Sequence, residues 1–553
     1  MNQSILIQHG TLITPGGPLN ADMRLADERI HSIGLDLEPE PGEEVIDASG
    51  WVVLPGIVDP HTHIQLDTGI YQTPDDWDVG TRTAACGGVT TVIDFATQFP
   101  GQNVREAVQN RLDEAHDMAH IDYGLHVMLT EIPANDADLE DWMGDLVALG
   151  TPSAKIYTTY RPNYYQDDDS LLRVFQAAAR QGVIVMVHCE NDDLVTAATS
   201  RRLSEGKTAL AFHGEARPAL AEVEAVNRCL LLAKEANCPL YVVHCSVGRS
   251  VLLIDAARQA GQVAYAETCP QYLLLDESAY RGDHPEWAIM QPPLRQADQR
   301  ETLWQLIEGG KVSSIGTDHC DYTLQQKVGL QPLEQPDVQK ALVALTDDER
   351  EMVTLRAGLR DGWRREWTEV ARSMGRSRDA VRRMETDAIR CLQDADGALE
   401  AIRVATELNG HPRLSFSETP GGIPGLETSL PLLATYGVAA GRLSWTQLAR
   451  LMATNPARLF GLFPRKGALI PGADADVVIF DPGVQWTVKA GDLHNIAGYT
   501  PYEERRLQGR VRTTISRGKI VFRGGEFRGE QGWGQFVEGR ISGGKAGLGE
   551  SGL

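Results

Sequence analysis

The sequence predicts an α/β protein: a (β/α)8 barrel of the TIM type, with a small β-sandwich built from both chain ends and a helical insertion. Three observations carry this. Between residues 89 and 320, apolar strand-like runs alternate with amphipathic helical runs; repeated strand-then-helix units imply a parallel sheet with crossover helices. Both ends of the chain instead show short segments in which apolar and polar residues alternate. Residues 325–412 break the rhythm with an Ala-, Arg-, Glu-, Leu- and Met-rich stretch, free of proline from Asp337 to Ala401.

In chain order, ILIQHGTLIT, DMRLADERIHSIG and EEVIDASG read as half-exposed strands, with a Pro-Gly-Gly turn after the first. WVVLPGIVDPHTH is a buried strand run that ends on His61 and His63. GVTTVIDF is followed by the helix-like NVREAVQNRLDEAHDM, IDYGLHVML by LEDWMGDLVAL, and SAKIYTTY by LLRVFQAAARQG. VIVMVHCEN, PLYVVHCS, VAYAETCP and VSSIGTDHC complete the strand series. The number of units favours a closed barrel, whose chemistry sits at the C-terminal ends of its strands. LTDDEREMVTLRAGLRDGWRREWTEVARSM and SRDAVRRMETDAIRCLQDADGALEAIRVATEL read as two or three inserted helices, and SWTQLARLMATNPARLFGLFP as a further helix. GADADVVIFDP and RVRTTISRGKIVFRGGEF return to strand texture. The expected division is 1–54 with 465–525 for the small β unit, 55–464 for the barrel, 325–412 for the insertion and 526–553 for a tail. Its Gly-rich end, GGKAGLGESGL, reads as disordered.

An apolar fraction of 42% and a charged fraction of 23% describe a globular chain. With no cationic leader before an apolar run and no span-length apolar segment, the expected location is cytoplasmic, with no membrane partner. Eight scattered cysteines without a C-x-x-C pair argue for reduced thiols. A formal charge of −24 disfavours nucleic acid.

Six polar residues fall at the ends of strand runs: His61 and His63, Lys155, His188, His244 and Asp318. On a strand, residues two apart face the same way, so His61 and His63 point together. A lone His-x-His is more often a structural pair. Four imidazoles and a carboxylate on one barrel rim instead describe a divalent-metal site. Lysine has no lone pair for a metal while charged. Lys155 would join as a carbamate, whose two oxygens could bridge two ions; otherwise it pairs with a substrate carboxylate or with Asp167 to Asp169.

In order along the chain, GIVDPHTH, SAKIYTTY, VHCEN, HGEARPALAEVEA, VVHCS, ETCPQYLLLD, PPLR, GTDHC and TNPARLFGLFPRKGALIPGADADVVIFDP resemble the amidohydrolase superfamily. Within it, the chain is similar to the cyclic amidohydrolases, above all the dihydropyrimidinase/hydantoinase branch. The resemblance implies a binuclear hydrolase that opens the ring C–N bond of a cyclic amide, imide or ureide by attack of a metal-bridging hydroxide. His61 and His63 match the ligands of one ion, His188 and His244 those of the other, and carbamylated Lys155 the bridge. Asp318 matches the ligand that is also the general acid/base, and Tyr160 the donor to the carbonyl. The implied ions are two divalent metals, zinc first, with manganese, cobalt or iron as alternatives. The implied assembly is a homodimer or homotetramer.

Two departures fall at the substrate contacts. Gln291 stands before PPLR where the branch commonly has serine, and Gly421 stands where it has the asparagine of a PNG turn. Both positions are expected to bind substrate largely through the main chain. The alternatives are an allantoinase- or lactam-type enzyme with a pocket reshaped by the insertion, and a non-catalytic dihydropyrimidinase-related scaffold.

Overall fold

The computed structural model describes residues 4–541 apart from 69–71, 330–332, 334, 361–364, 396 and 406–413. Eight parallel strands form the barrel: β1 Ile57–Thr62, β2 Val89–Gln98, β3 Asp122–Leu129, β4 Ser153–Tyr157, β5 Ile184–His188, β6 Leu240–Val242, β7 Ala264–Thr268 and β8 Ser314–Ile315. They run in sequence order across one sheet. The ring closes between its first and last members, where His63 N–H donates to His319 O (2.8 Å) and Asp318 N–H to His61 O (2.9 Å). β1 and β3 to β8 are buried at every residue, which is why they read as near-continuous apolar runs rather than alternating ones.

The chain ends pair with each other. Val52–Pro55 lies antiparallel to Val477–Phe480 and parallel to Thr11–Leu12, in a seven-stranded sheet that draws on both termini. A four-stranded sheet from residues 5–47 packs on it around Ile7, Leu12, Met23, Leu25, Val53, Val477 and Ile515. The strand Gly17–Asn20, which begins on the Pro-Gly-Gly turn and is not among the strands read from the sequence, is a mostly exposed edge of this layer. Lys466 joins the β layers to the barrel. Its buried ammonium reaches Asp122 of β3 (2.5 Å), Asp474 (2.9 Å) and Asp476 (2.7 Å), while Arg517 also pairs with Asp122. Residues following Phe527 run back along the barrel, with Gln535 O accepting from Tyr123 N–H. GGKAGLGESGL lies outside the described residues.

The insertion holds five helices among its described residues, not two or three: Pro336–Val343, Asp347–Ala357, Trp367–Ser373, Arg378–Asp394 and Ala398–Ala405. Helical composition runs on where the backbone stops. Gly358 caps Asp347–Ala357 with a left-handed φ of 66°, Arg378–Asp394 stops at the extended Ala395, and Gly397 takes a left-handed φ of 72° just before the next helix. The bundle has its own core, including Val338, Met352, Leu359, Val370 and Val381. Part of its arginine content is engaged within the bundle, since Arg356 and Arg382 lie over the Trp367 ring at 5.1 and 4.4 Å. Its roots adjoin, because a Cβ on Gly329 would strike the Leu414 side chain. Replacing residues 334–411 by a short Gly/Ser linker is therefore expected to leave the barrel folded, with a melting temperature within ~5 °C of the intact chain. Calorimetry on the trimmed protein checks this; insoluble or unfolded product would contradict it.

Candidate metal centre and substrate pocket

The six residues predicted as ligands line one cavity of about 540 Å³ at the C-terminal mouth of the barrel. The His61 and His63 rings lie 5.2 Å apart, and their Nε2 atoms stand 3.3 and 3.4 Å from Asp318 Oδ1. Ligand atoms of these three residues fall within 4.8 Å of one another. The His244 ring stacks on His61 at 5.5 Å and meets His188 edge-on at 4.6 Å. Three groups reach the site through left-handed backbone: Tyr160 at φ 74°, His244 at 39° and Asp318 at 52°. Such conformations cost non-glycine residues roughly 1–3 kcal/mol each. At Asp318 the main-chain bond to His61 O helps to hold the strained conformation.

Burial pushes the imidazoles of His61 and His244 well below the ordinary histidine value and His188 below it, so they stand as neutral rings. His61 Nδ1 is engaged by Glu267 Oε1 at 2.7 Å, which puts the ring proton there and leaves the Nε2 lone pair facing the Asp318 carboxylate. No hydrogen bond among the described residues reaches His61 Nε2, His63 Nδ1 or His244 Nδ1, all buried. Lone pairs opposed with no proton between them call for a cation, and the donor set fits a divalent metal. Lys155 is 1% exposed, and among the described residues no carboxylate lies within ion-pair distance of it. Burial, against the pull of Asp318 and Glu267, brings its ammonium down to about 8. Asp167 instead caps the helix Asp168–Gln181 and Asp168 pairs with Arg228, so neither is its partner.

The sequence reading assigned no role to the residues that hold these ligands. Glu267, at the end of β7, accepts from His61, from His244 N–H (2.9 Å) and from the Tyr241 hydroxyl (2.7 Å). Gly316 makes room for it: a Cβ there would lie 2.9 Å from His61 Cβ and 3.0 Å from Glu267 Oε2. Glu190 takes His188 Nε2 at 2.8 Å and is itself paired with Arg217, which leaves His188 Nδ1 as the nitrogen a cation could take. Both glutamates stand in quoted motifs, ETCPQ and VHCEN; their place at a strand end was the available signal. A neighbouring buried trio, Asp75, His319 and Asp321, is of another kind. Gly425 N–H donates to His319 Nδ1 (3.1 Å), so Nε2 carries the proton, within ion-pair distance of Asp75 (3.3 Å) and Asp321 (3.7 Å).

Tyr160 opens on the same cavity. Burial raises its phenol, so the hydroxyl keeps its proton and donates to Gln291 Oε1 at 2.9 Å. The two departures prove to be neighbours: a Cβ on Gly421 would sit 2.8 Å from Gln291 Cδ. The long side chain at 291 occupies space that the missing side chain at 421 leaves. Residues 417–422, just after the insertion, line the cavity, whereas no described residue of 336–405 does. The described helices of the bundle pack their amphipathic faces on each other rather than on the cavity wall.

The Amidohydrolase family matches residues 52–521. A D-hydantoinase of Geobacillus stearothermophilus is 32% identical over 535 residues, 96% of either chain. A D-phenylhydantoinase of Escherichia coli O1:K1 is 33% identical, covering 96% of this chain and 97% of that one. The crystal structure of dihydropyrimidinase from Brevibacillus agri superposes with a TM-score of 0.79 at 30% identity, over 97% of this chain and 99% of that one. The chain belongs to the amidohydrolase family and, within it, to the cyclic amidohydrolases of the hydantoinase type: it is a hydrolase of cyclic amides.

Proposed function

We propose that the chain is a binuclear metal hydrolase that opens the ring C–N bond of a hydantoin- or dihydropyrimidine-type ring. The carrying observation is that buried His61, His63, His188 and His244 and half-buried Asp318 converge, with unpartnered nitrogen atoms, on one cavity beside a lysine that has no carboxylate within ion-pair distance among the described residues. His61, His63 and Asp318 would hold one divalent ion, His188 and His244 a second, and Lys155 would bridge them. An uncharged Lys155 amine adds to CO2 with loss of a proton, giving a carbamate that carries the two oxygens a bridge needs. Zinc is the first choice for this donor set. When bound, the ions supply Lewis acidity toward the ring carbonyl and lower the pKa of water.

The chain's own groups do the rest. Asp318 takes the proton of the attacking water and returns it to the ring nitrogen as the C–N bond breaks. Tyr160 exchanges its bond to Gln291 for one to the carbonyl oxygen as that atom gains charge. Gln291 and Gly421 both line the cavity wall, and their main-chain groups would read the ring amide. Cytoplasmic residence is consistent with eight free cysteines; among the described residues no helix is long and apolar enough to cross a membrane. A homodimer or homotetramer completes the proposal, with sedimentation as its measurement.

Purified protein assayed against hydantoin, a 5-aryl hydantoin, dihydrouracil, allantoin, dihydroorotate, cyclic imides and lactams tests the substrate class. Ring opening of hydantoin or dihydrouracil supports it; turnover confined to allantoin, dihydroorotate or lactams overturns it. Lys155→Ala is expected to lose most bound metal and nearly all activity, partly restored by added short carboxylic acids. Full metal content and rate in that variant would rule out the bridge. Asp318→Asn is expected to fold normally and lose turnover by ~10³-fold or more, because an amide cannot carry the proton. Near-normal kcat across pH would remove Asp318 from the proton path.

A further inference from the structure

Lys327 stands on the short helix Leu324–Val328, between Asp318 and the helical bundle that starts at Pro336, and its side chain is 1% exposed. Its ammonium donates to two main-chain carbonyls, Ile289 O at 2.8 Å and Pro420 O at 2.7 Å. The charge sits among Cys320, Glu286 and Asp321, with the Tyr322 ring 5.7 Å away. Among the described residues no carboxylate comes within ion-pair distance of it. Burial brings the ammonium down to about 7, which reflects how completely water is stripped from it. A lysine held this way is costly, and an apolar side chain of the same length would fill the space. What the lysine adds is two donors aimed at two particular loops.

Those loops carry the two positions where the chain departs from its relatives' pattern. Ile289 lies two residues before Gln291, and Pro420 immediately precedes Gly421. Ile289 O also accepts Gly422 N–H at 3.0 Å, so the loops are joined directly beside the lysine. Met290 O is held by His213 Nε2 (2.9 Å) and Pro292 O by the Tyr272 hydroxyl (2.7 Å). The carbonyls on either side of Gln291 are thus engaged, and among the described residues none of the hydrogen bonds reaches the Gln291 carbonyl itself. The lysine also bridges the insertion: it bonds Pro420 across the whole length of 330–413.

We propose that Lys327 is a positioning residue for substrate: its ammonium locks together the loops that present Gln291 and Gly421 to the ring amide and isolates them from the intervening insertion. The substrate part rests on the ring-amide reading above; the loop ordering does not.

Hydrogen–deuterium exchange on the full-length metal-loaded protein reads the ordering without any substrate. Lys327→Met is expected to speed exchange at the amides of 289–291 and 417–423 by ~10-fold or more, consistent with the loss of two charged hydrogen bonds. Strands β1 and β5 and the metal content should stay unchanged. With hydantoin and dihydrouracil as probes, KM should rise ~10-fold while kcat moves less than ~3-fold. Lys327→Arg, which keeps charge and donors, should recover part of both effects. In a Gln291→Ala background the Met substitution should cost less than in the wild type, since the group it positions is gone. Unchanged exchange in both loops, or a loss of kcat together with metal, overturns the proposal. If Lys327→Met does not fold, Lys327→Gln, with donors but no charge, takes its place under the same criteria. A wild type that opens neither ring would defeat the substrate class while the exchange measurement still decides the loop clamp.

Discussion

A lone pair that faces another lone pair across a buried site is satisfied by a cation between them, and this constraint organises the barrel mouth. Giving the His61 proton to Glu267 turns the other ring nitrogen toward Asp318 with nothing between them. Burial keeps the imidazoles neutral, which preserves them as ligands and would be a liability in a site meant to stay empty. The left-handed backbone at Tyr160, His244 and Asp318 fits the same account, since strain of that kind persists only where the surroundings enforce it.

Enforcement comes from the layers around the ligands. Main-chain bonds between β1 and β8 close the barrel at the very residues that carry His61, His63 and Asp318. Glu267 and the Glu190–Arg217 pair fix ring orientation from behind. Farther out, Lys466 ties three aspartates of the barrel and the terminal β layers into one buried network. Removing one member of such a network leaves uncompensated charge, at about 3–5 kcal/mol. That network makes the β layers part of the barrel's support.

The insertion shows the opposite strategy. It enters beside Asp318, yet its core is its own and its described helices stay off the cavity wall. Its roots meet at Gly329 and Leu414, and Lys327 reaches across them. A large helical element can then be carried at the active-site rim while the loops on either side of it keep the register the pocket needs.

Strand runs, helix periodicity and the polar residues that end each strand were legible because each depends on short-range pattern: period two or continuous burial in strands, and a fixed place at the C-terminal edge. His61, His63, Lys155, His188, His244 and Asp318 could therefore be named from sequence, and the fold places them around one cavity. The number of inserted helices was misread because helical composition continues through Gly358 and Ala395, where backbone conformation, left-handed at one and extended at the other, ends the helix. Glu267, Arg217 and Lys327 are ordinary charged residues in one dimension; only packing brings Glu267 to His61 and Lys327 to carbonyls on two separate loops. The compensation between Gln291 and Gly421 is likewise invisible along a chain that separates them by the entire insertion. Local pattern determined which elements form and which side chains end them; long-range contact decided which of those side chains are held, by what, and against which neighbour, because distance in space is not encoded in spacing along the chain.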